Sequence, residues 1–156
     1  MPLSQNHDTC IINTPIGKMI ATADKNSITS LDFTDETQSF NNSDNPLLIR
    51  LEKELHEYFE KKRQTFTLPL SVNGTVFQKR VWETLCTIPY GETISYTTEA
   101  KLFGNPKAVR AVANANGRNP ISILIPCHRV IASNGRIGGY SGGIEKKEFL
   151  LALEKK

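Results

Sequence analysis

The sequence predicts two domains of different class within 156 residues. An α/β domain, a small antiparallel sheet plus a helix, is expected over residues 1–74. A mostly helical domain with a helix-turn-helix is expected over residues 75–156. Three observations support this division: short β-rich runs alternate with turn residues at the start, one helical apolar stripe follows them, and closely spaced helix caps and stop signals fill the second half.

The predicted sheet and its helix come first along the chain. Asn45 and Pro46 have the pattern of an N-cap and a first helical residue, and the apolar spacing after them predicts a helix. Lys61–Arg63 are expected to close this helix with cations, as its dipole prefers. The polar residues 34–45 before this helix are predicted to form a loop, and residues 66–72 after it an extended connector. Turn residues bound three predicted strands, which are Cys10–Asn13, Lys18–Ala23 and Ile28–Phe33.

Caps and stops divide the second domain into short helices. Thr75 and Gln78 have the spacing of a capping box and predict the first of them. A helix over residues 96–103 ends at Gly104, and another follows from Pro106 to about Asn116. Two short helices joined by a glycine-containing turn predict a helix-turn-helix, although a generic helical hairpin has the same pattern.

The C-terminal part begins with an apolar run. Ile121–Ile125 is predicted to be a buried strand or extended segment that leads to Cys127. Asn134 and Gly135 then predict a tight turn, and a last helix is expected over residues 145–154.

Charge is distributed unevenly between the two domains. Residues 1–74 carry seven Lys/Arg and ten Asp/Glu, a net charge of −3, whereas residues 75–156 carry twelve and six, a net charge of +6. No acidic residue occurs between Ala100 and Ile144. A basic stretch of one sign favours a polyphosphate partner, and a solvated basic face is the alternative.

Composition also limits the compartment and the class of protein. No apolar run approaches the length of a membrane span, and the N-terminus lacks the pattern of a secretory signal, so a cytoplasmic protein is predicted. Its three cysteines are expected to be reduced rather than paired in disulfides. His7 and Cys10 have no matching second pair of ligands, so no metal site is predicted.

Cys127 and His128 are the candidate reactive pair. A cysteine needs a nearby base or a favourable charge to become the nucleophilic thiolate at neutral pH. Neighbouring residues often point to opposite sides of the chain, so a bridging water is a plausible connection between them, and a carboxylate is expected to orient the imidazole. A buried, unreactive cysteine is the alternative for an isolated Cys-His dipeptide.

Several motifs in the second half occur in one characteristic order. They are Pro89-Tyr90-Gly91-Glu92-Thr93, Ser95-Tyr96, Gly104-Asn105-Pro106-Lys107-Ala108, Arg110-Ala111-Val112, Asn119-Pro120, Pro126-Cys127-His128-Arg129-Val130, Tyr140-Ser141-Gly142-Gly143 and Lys147-Glu148-Phe149-Leu150-Leu151 with Glu154. Together they resemble the O6-alkylguanine-DNA alkyltransferase family, and the resemblance covers residues 75–154.

The resemblance implies roles for the matching catalytic positions. Cys127 is the alkyl acceptor. His128 takes the thiol proton through a water, and Glu154 holds the imidazole. Asn119 braces the turn that carries the cysteine.

The resemblance also implies how the lesion is recognised. The substrate is double-stranded DNA containing O6-alkylguanine, and its target nucleotide must be flipped out of the helix. Tyr96 donates to guanine N3, the Ser141 backbone meets O6, and Tyr140 helps to wall the pocket. The carbonyls of Cys127 and Val130 receive the exocyclic amine. Arg110, on a helix that enters the minor groove, fills the space that the flipped nucleotide leaves in the base stack. The other residues expected to contact DNA are Ala111, Lys107 and Arg118.

The implied reaction needs no cofactor and uses each molecule once, and a monomer is expected. Some relatives bind zinc in the N-terminal part, but the matching hairpin here, residues 17–24, has no cysteine. Two other functions remain open at this stage. One is a non-catalytic alkyltransferase-like lesion binder, against which Cys127 argues. The other is a thiol hydrolase or redox sensor, which would not need the basic stretch.

Overall fold

A computed structural model describes residues 7–35, 43–140 and 142–155 of the chain. The chain divides into two compact units between Val72 and Asn73. Each unit has its own set of buried apolar side chains.

The first unit is a three-stranded antiparallel sheet with one helix against it. Strands β1 (Asp8–Thr14), β2 (Gly17–Ala23) and β3 (Ile28–Phe33) are ordered β1-β2-β3, and helix α1 (Pro46–Phe59) lies against β1 and β2. Asn45 caps α1 because its side chain accepts a hydrogen bond from the Leu47 backbone N–H at 2.8 Å.

The predictions for this unit are largely confirmed, except that α1 ends at Phe59, before the Lys61–Arg63 cations expected to close it, and Lys61 has a left-handed φ of 62°. The strands extend one or two residues beyond the predicted ends of β1 and β2, and β3 has its predicted bounds. The connector is extended against β3, where Ile28 donates to the Pro69 carbonyl and accepts from the Ser71 N–H, both at 2.9 Å. Most of the predicted loop lies outside the described residues, which omit residues 36–42.

The second unit is mostly helical, and its helix boundaries follow its caps. The Thr75–Gln78 capping box is formed, and Gly104 ends a helix with a φ of 105°. A single 3-10 turn precedes the second helix of the helix-turn-helix. The elements are α2 (Val76–Leu85), β4 (Ile94–Ser95), α3 (Tyr96–Phe103), α4 (Val109–Asn116), β5 (Val130–Ile131) and α5 (Ile144–Glu154). The predicted fold class is therefore confirmed.

A tryptophan joins two of these helices in the core. Trp82 on α2 donates its indole N–H to the Ala115 carbonyl on α4 at 2.9 Å. Val81, Leu85 and Val112 are fully buried around the same packing layer. This contact fixes the C-terminal end of α4, which carries residues of the candidate site.

The predicted strand at Ile121–Ile125 is wrong, although the run is buried as expected. The Leu124 N–H donates to the Ser122 carbonyl at 2.8 Å, and the Ile125 N–H donates to the Ile121 carbonyl at 3.0 Å, so the segment is a compact turn. Ile123 at its centre has a φ of 73°, a left-handed conformation that strains a β-branched residue. An apolar run alone does not distinguish a buried strand from a buried turn.

A short parallel pairing of β4 with β5 was not predicted. Ile94 pairs with Val130 and Ser95 with Ile131. Because Tyr96 follows β4 directly and Cys127 lies just before β5, this pairing brings the two parts of the chain together. Among the described residues, no helix has the length and apolar character needed to cross a membrane.

Candidate active site

Two tight turns deliver Cys127 to the site. After the strained turn at Ile123, Pro126 adopts φ −84° and ψ 63°, and the Cys127 N–H donates to the Ile125 carbonyl at 2.8 Å. This is an inverse γ-turn. A 3-10 turn over Cys127–Arg129 follows it.

Asn119 braces this arrangement with three hydrogen bonds. Its Nδ2 donates to the Ile125 carbonyl at 2.7 Å and to Cys127 Sγ at 3.3 Å, while its Oδ1 accepts from the Ile121 N–H at 2.9 Å. One side chain thus holds both ends of the turn and contacts the sulfur. This geometry agrees with the predicted bracing role.

The Cys127 sulfur is a thiol in the resting protein. Burial raises the pKa of this thiol, and the hydrogen bond from Asn119 only partly opposes that effect. Burial therefore outweighs the lowering effects of Asn119 and Lys147 on the pKa of this thiol. Reaction requires a base that takes the proton as sulfur attacks.

His128 and Glu154 form a buried hydrogen-bonded pair, the pair that the resemblance implies. His128 Nε2 lies 2.7 Å from Glu154 Oε2, and both side chains are buried. Burial raises the pKa of Glu154, but the hydrogen bonds from His128 and Arg129 overcome it and lower the pKa to about 2. An ionised carboxylate only accepts, so Nε2 must carry the proton.

The other imidazole nitrogen is available for proton transfer. His128 Nδ1 is buried and has no hydrogen-bond partner among the described residues. Burial lowers the pKa of this imidazole against the raising effect of Glu154, which keeps the ring neutral and its Nδ1 lone pair free. A water beside Nδ1 is one route by which it can receive the Cys127 proton.

Arg129 is a site residue to which the sequence assigned no role. It donates to Glu154 through Nε at 2.8 Å and Nη2 at 3.1 Å, and to the Ile88 carbonyl through Nη1 at 2.7 Å. This fork neutralises the buried carboxylate and fixes its orientation.

Lys147 is a second such residue. It is fully buried, and its ammonium donates to the Val130 carbonyl at 2.6 Å and to the Gly139 carbonyl at 3.0 Å. Burial lowers its pKa to about 8. Lys147 therefore links α5 to both sides of the pocket, and it occupies one acceptor direction of the Val130 carbonyl that was expected to meet guanine.

A pocket of about 310 Å³ opens beside the cysteine. Burial, with smaller effects of Cys127 and Glu99, raises the pKa of the Tyr96 hydroxyl, so it stays a hydrogen-bond donor at neutral pH. Ser141 lies outside the described residues. The pocket is lined by Tyr96, Ala113, Asn116, Gly117, Cys127, Gly139 and Tyr140.

The expected DNA contacts lie on one helix and its flanks. Arg110 and Ala111 are exposed on the first turn of α4, Lys107 is exposed in the 3-10 turn before it, and Arg118 is exposed just after it. Asn116 and Gly117 at the end of the same helix line the pocket. Three exposed cations thus lie on the helix that leads to the cysteine pocket and on its flanks.

No metal centre is formed by the part of the chain that the structure describes, where no three His, Cys, Asp or Glu side chains are grouped to hold an ion. Cys10 is buried and Cys86 exposed, and neither lines this pocket.

Comparison with known proteins decides the family. Residues 76–156 match "6-O-methylguanine DNA methyltransferase, DNA binding domain", and residues 10–72 match "6-O-methylguanine DNA methyltransferase, ribonuclease-like domain". The chain belongs to the 6-O-methylguanine DNA methyltransferase family. The resemblance identified from the motifs is confirmed.

Relatives match over nearly the whole chain. The constitutive methylated-DNA–protein-cysteine methyltransferase of Bacillus subtilis is 44% identical over 151 residues, covering 91% of this chain and 92% of that protein. The crystal structure of Mycobacterium tuberculosis O6-methylguanine methyltransferase superposes with a TM-score of 0.86 at 40% identity, covering 96% and 93% of the two chains. The structure of Mycobacterium tuberculosis OGT in complex with DNA has a TM-score of 0.85 at 42% identity, covering 93% and 91%.

The two site residues to which the sequence assigned no role are both charged and both buried. Arg129 and Lys147 occur in the quoted motifs, but as charged residues they are expected at the surface. Their burial follows from partners 25 and 17 residues away in sequence, Glu154 and the Val130 carbonyl. Position inside a reactive motif was the only available signal.

Proposed function

We propose that this chain repairs O6-alkylguanine in double-stranded DNA by moving the alkyl group onto Cys127 in one irreversible reaction. The observation that carries the proposal is the placement of Cys127 Sγ in a pocket, braced by Asn119, next to the His128–Glu154 pair. The second imidazole nitrogen of this pair has no hydrogen-bond partner in the described part of the chain. The names of the relatives describe the same class of reaction.

The reaction is an in-line displacement at the alkyl carbon. The S–C bond forms as the C–O6 bond breaks, and guanine leaves with the electron pair. The thiol proton passes through a water to His128 Nδ1, and guanine takes up a proton, so the net reaction exchanges an alkyl group for a proton. The product thioether has no leaving group comparable to guanine, so one molecule repairs one lesion.

The pocket side chains have complementary roles. Tyr96 donates to guanine N3 and offsets the negative charge that develops on the departing base. Tyr140 forms one wall. The carbonyls of Cys127 and Val130, and the backbone of Ser141, complete recognition of the base edge.

The exposed cations bind the duplex. Lys107 and Arg118 neutralise phosphates on either side of α4, while Arg110 enters the space left by the flipped nucleotide, where its flat guanidinium stacks. Ala111 beside it has a small side chain that permits close approach to the minor groove. The match to a DNA-binding domain over residues 76–156 supports this assignment.

We further propose that the protein is cytoplasmic and acts as a monomer. A reducing compartment keeps Cys127 a thiol, as the reaction requires. Residues 75–156 hold every group assigned to acceptor, base and DNA contact, so one copy is sufficient.

Mass spectrometry tests the proposal. Mixing the protein with duplex DNA that contains O6-methylguanine is expected to add one CH₂ unit per chain, located on the peptide that contains Cys127. Cys127→Ala abolishes the gain, whereas the exposed-cysteine control Cys86→Ala retains it. A chain that binds the lesion but gains no mass is a lesion binder. A methyl group on another residue also refutes the proposal.

A further inference from the structure

A buried pair of side chains, Glu99 and Asn116, joins the two helices of the helix-turn-helix beneath the pocket. Glu99 lies on α3 and is 0% exposed, and Asn116 is the last residue of α4 and is 7% exposed. Asn116 Nδ2 donates to Glu99 Oε1 at 2.7 Å. The reaction described above assigns this pair no role.

The second oxygen of each side chain is left over. Glu99 Oε2 and Asn116 Oδ1 are both buried, and neither has a hydrogen-bond partner among the described residues. Both atoms are acceptors when Glu99 is ionised, and a buried acceptor left unsatisfied destabilises the folded protein. Such a cost calls for a missing donor.

One proton supplies that donor for both atoms. A carboxylic acid and a primary amide are complementary, since the amide N–H donates to one acid oxygen while the acid O–H donates to the amide oxygen. Protonation of Glu99 at Oε2 therefore closes a two-bond ring with Asn116 and leaves neither oxygen unsatisfied.

We propose that Glu99 is a positioning residue that acts as a neutral acid, doubly hydrogen-bonded to Asn116, and so sets the spacing between Tyr96 on α3 and the end of α4 that lines the pocket with Cys127. This inference rests on the proposed alkyl transfer for its functional consequence. The pair itself is a property of the fold.

The surroundings are consistent with a neutral acid near physiological pH. Burial raises the pKa of Glu99 to about 7, while the Asn116 hydrogen bond and the charge of Lys147 on α5 oppose the rise. Tyr96 on the same helix and Cys127 interact electrostatically with Glu99.

The described residues of the other elements packed on α3 bring no further charge to the pair. Arg80 on α2 donates to the Phe103 carbonyl, at the opposite end of α3 from the pocket. Lys107 in the 3-10 turn is exposed, and β5 contains only Val130 and Ile131. Loss of the proton at alkaline pH leaves a buried carboxylate with no donor for Oε2, which loosens the α3–α4 contact.

Two substitutions at Glu99 separate the hydrogen bonds from the charge. Glu99→Gln forms the same two-bond pair, amide to amide, at every pH, so its transfer rate constant stays within about threefold of wild type at pH 7, and the ratio of variant to wild-type rate rises as the pH is raised to about 9. Glu99→Leu removes both bonds and lowers the rate by about tenfold. The exposed-carboxylate control Glu92→Gln leaves the pH profile unchanged.

Infrared spectroscopy of the unreacted protein tests the proton directly. The wild type minus Glu99→Gln difference spectrum is expected to contain the carbonyl stretch of a protonated carboxyl, sensitive to D₂O, below about pH 7 and to lose it above. The proposal is overturned if the difference spectrum at pH 6 contains the ionised-carboxylate signal and no protonated-carboxyl band. It is also overturned if the Glu99→Gln variant is as slow as Glu99→Leu. If the wild-type chain gains no alkyl group, the transfer function is refuted instead. The infrared band still shows whether Glu99 is protonated.

Discussion

His128 donates its Nε2 proton to Glu154 across 2.7 Å, joining the turn after the cysteine to the last helix of the chain. Arg129 donates a hydrogen bond to the other oxygen of the same carboxylate, from Nε to Oε1 at 2.8 Å. A carboxylate held in this way keeps the imidazole in one tautomer. Nδ1 is therefore the nitrogen that serves as base in the proposed reaction.

Glu154→Gln should weaken both stability and transfer. The amide leaves the buried Arg129 without a counter-charge, which costs about 3 kcal/mol of unfolding free energy. The imidazolium that forms during reaction loses its partner too, so the transfer rate falls by about a hundredfold. Urea unfolding and single-turnover kinetics measure these effects. Glu148→Gln, an exposed change on the same helix, is the control, and matching losses in both variants contradict the role.

Acid should destabilise the wild type through this carboxylate. The pKa of Glu154 is lowered from 4.5 to about 2 by folding, so its contribution to stability is present above pH 4.5 and is lost as the pH falls toward 2. In Glu154→Gln this part of the dependence is absent. Unfolding free energies at a series of acidic pH values check this, and parallel curves for the two proteins refute it.

Asn119→Ala should loosen the turn that carries the cysteine. The change removes all three hydrogen bonds and leaves the Ile121 N–H and the Ile125 carbonyl without this partner. A loss of about 2–3 kcal/mol is expected, together with slower transfer. Asn134→Ala removes one bond, to the Arg136 N–H in an exposed turn, and is the matched control. Equal thermal stability of the two variants speaks against bracing.

Gly138→Ala and Gly135→Ala form a matched pair. Both glycines have positive φ, 78° and 86°, so each substitution costs about 1 kcal/mol in backbone strain. A Cβ at Gly138 lies 3.0 Å from the Tyr96 hydroxyl, whereas one at Gly135 meets nothing within 4 Å. Only Gly138→Ala is therefore expected to slow transfer. Similar transfer rates for the two variants contradict the proposed role of the Tyr96 hydroxyl.

Arg110→Ala should impair repair of duplex DNA more than reaction with a free base. Arg110 is exposed on α4 and is proposed to fill the space left by the flipped nucleotide. A free O6-alkylguanine base needs no flipping, so its reaction does not depend on this side chain. Alkyl transfer from both substrates to the same protein preparation gives the comparison. Equal losses on the two substrates contradict the role of Arg110 as the residue that fills the stack.

Local chemistry made much of the fold predictable. Asn45 and Thr75 cap helices where the sequence placed caps, and Gly104 ends one where a stop was expected. These predictions succeed because a cap and its helix lie within a few residues of each other, so the deciding hydrogen bonds are visible in the sequence.

The sequence by itself determined most of the helix ends, the three-stranded sheet, the basic second half and the candidate acceptor cysteine. The tertiary structure alone decided that Ile121–Ile125 turns back on itself, that Arg129 and Lys147 are buried, and that Glu99 meets Asn116. The reason is physical. These outcomes depend on desolvation and on partners distant in sequence, and no local pattern records which polar group a buried charge will find.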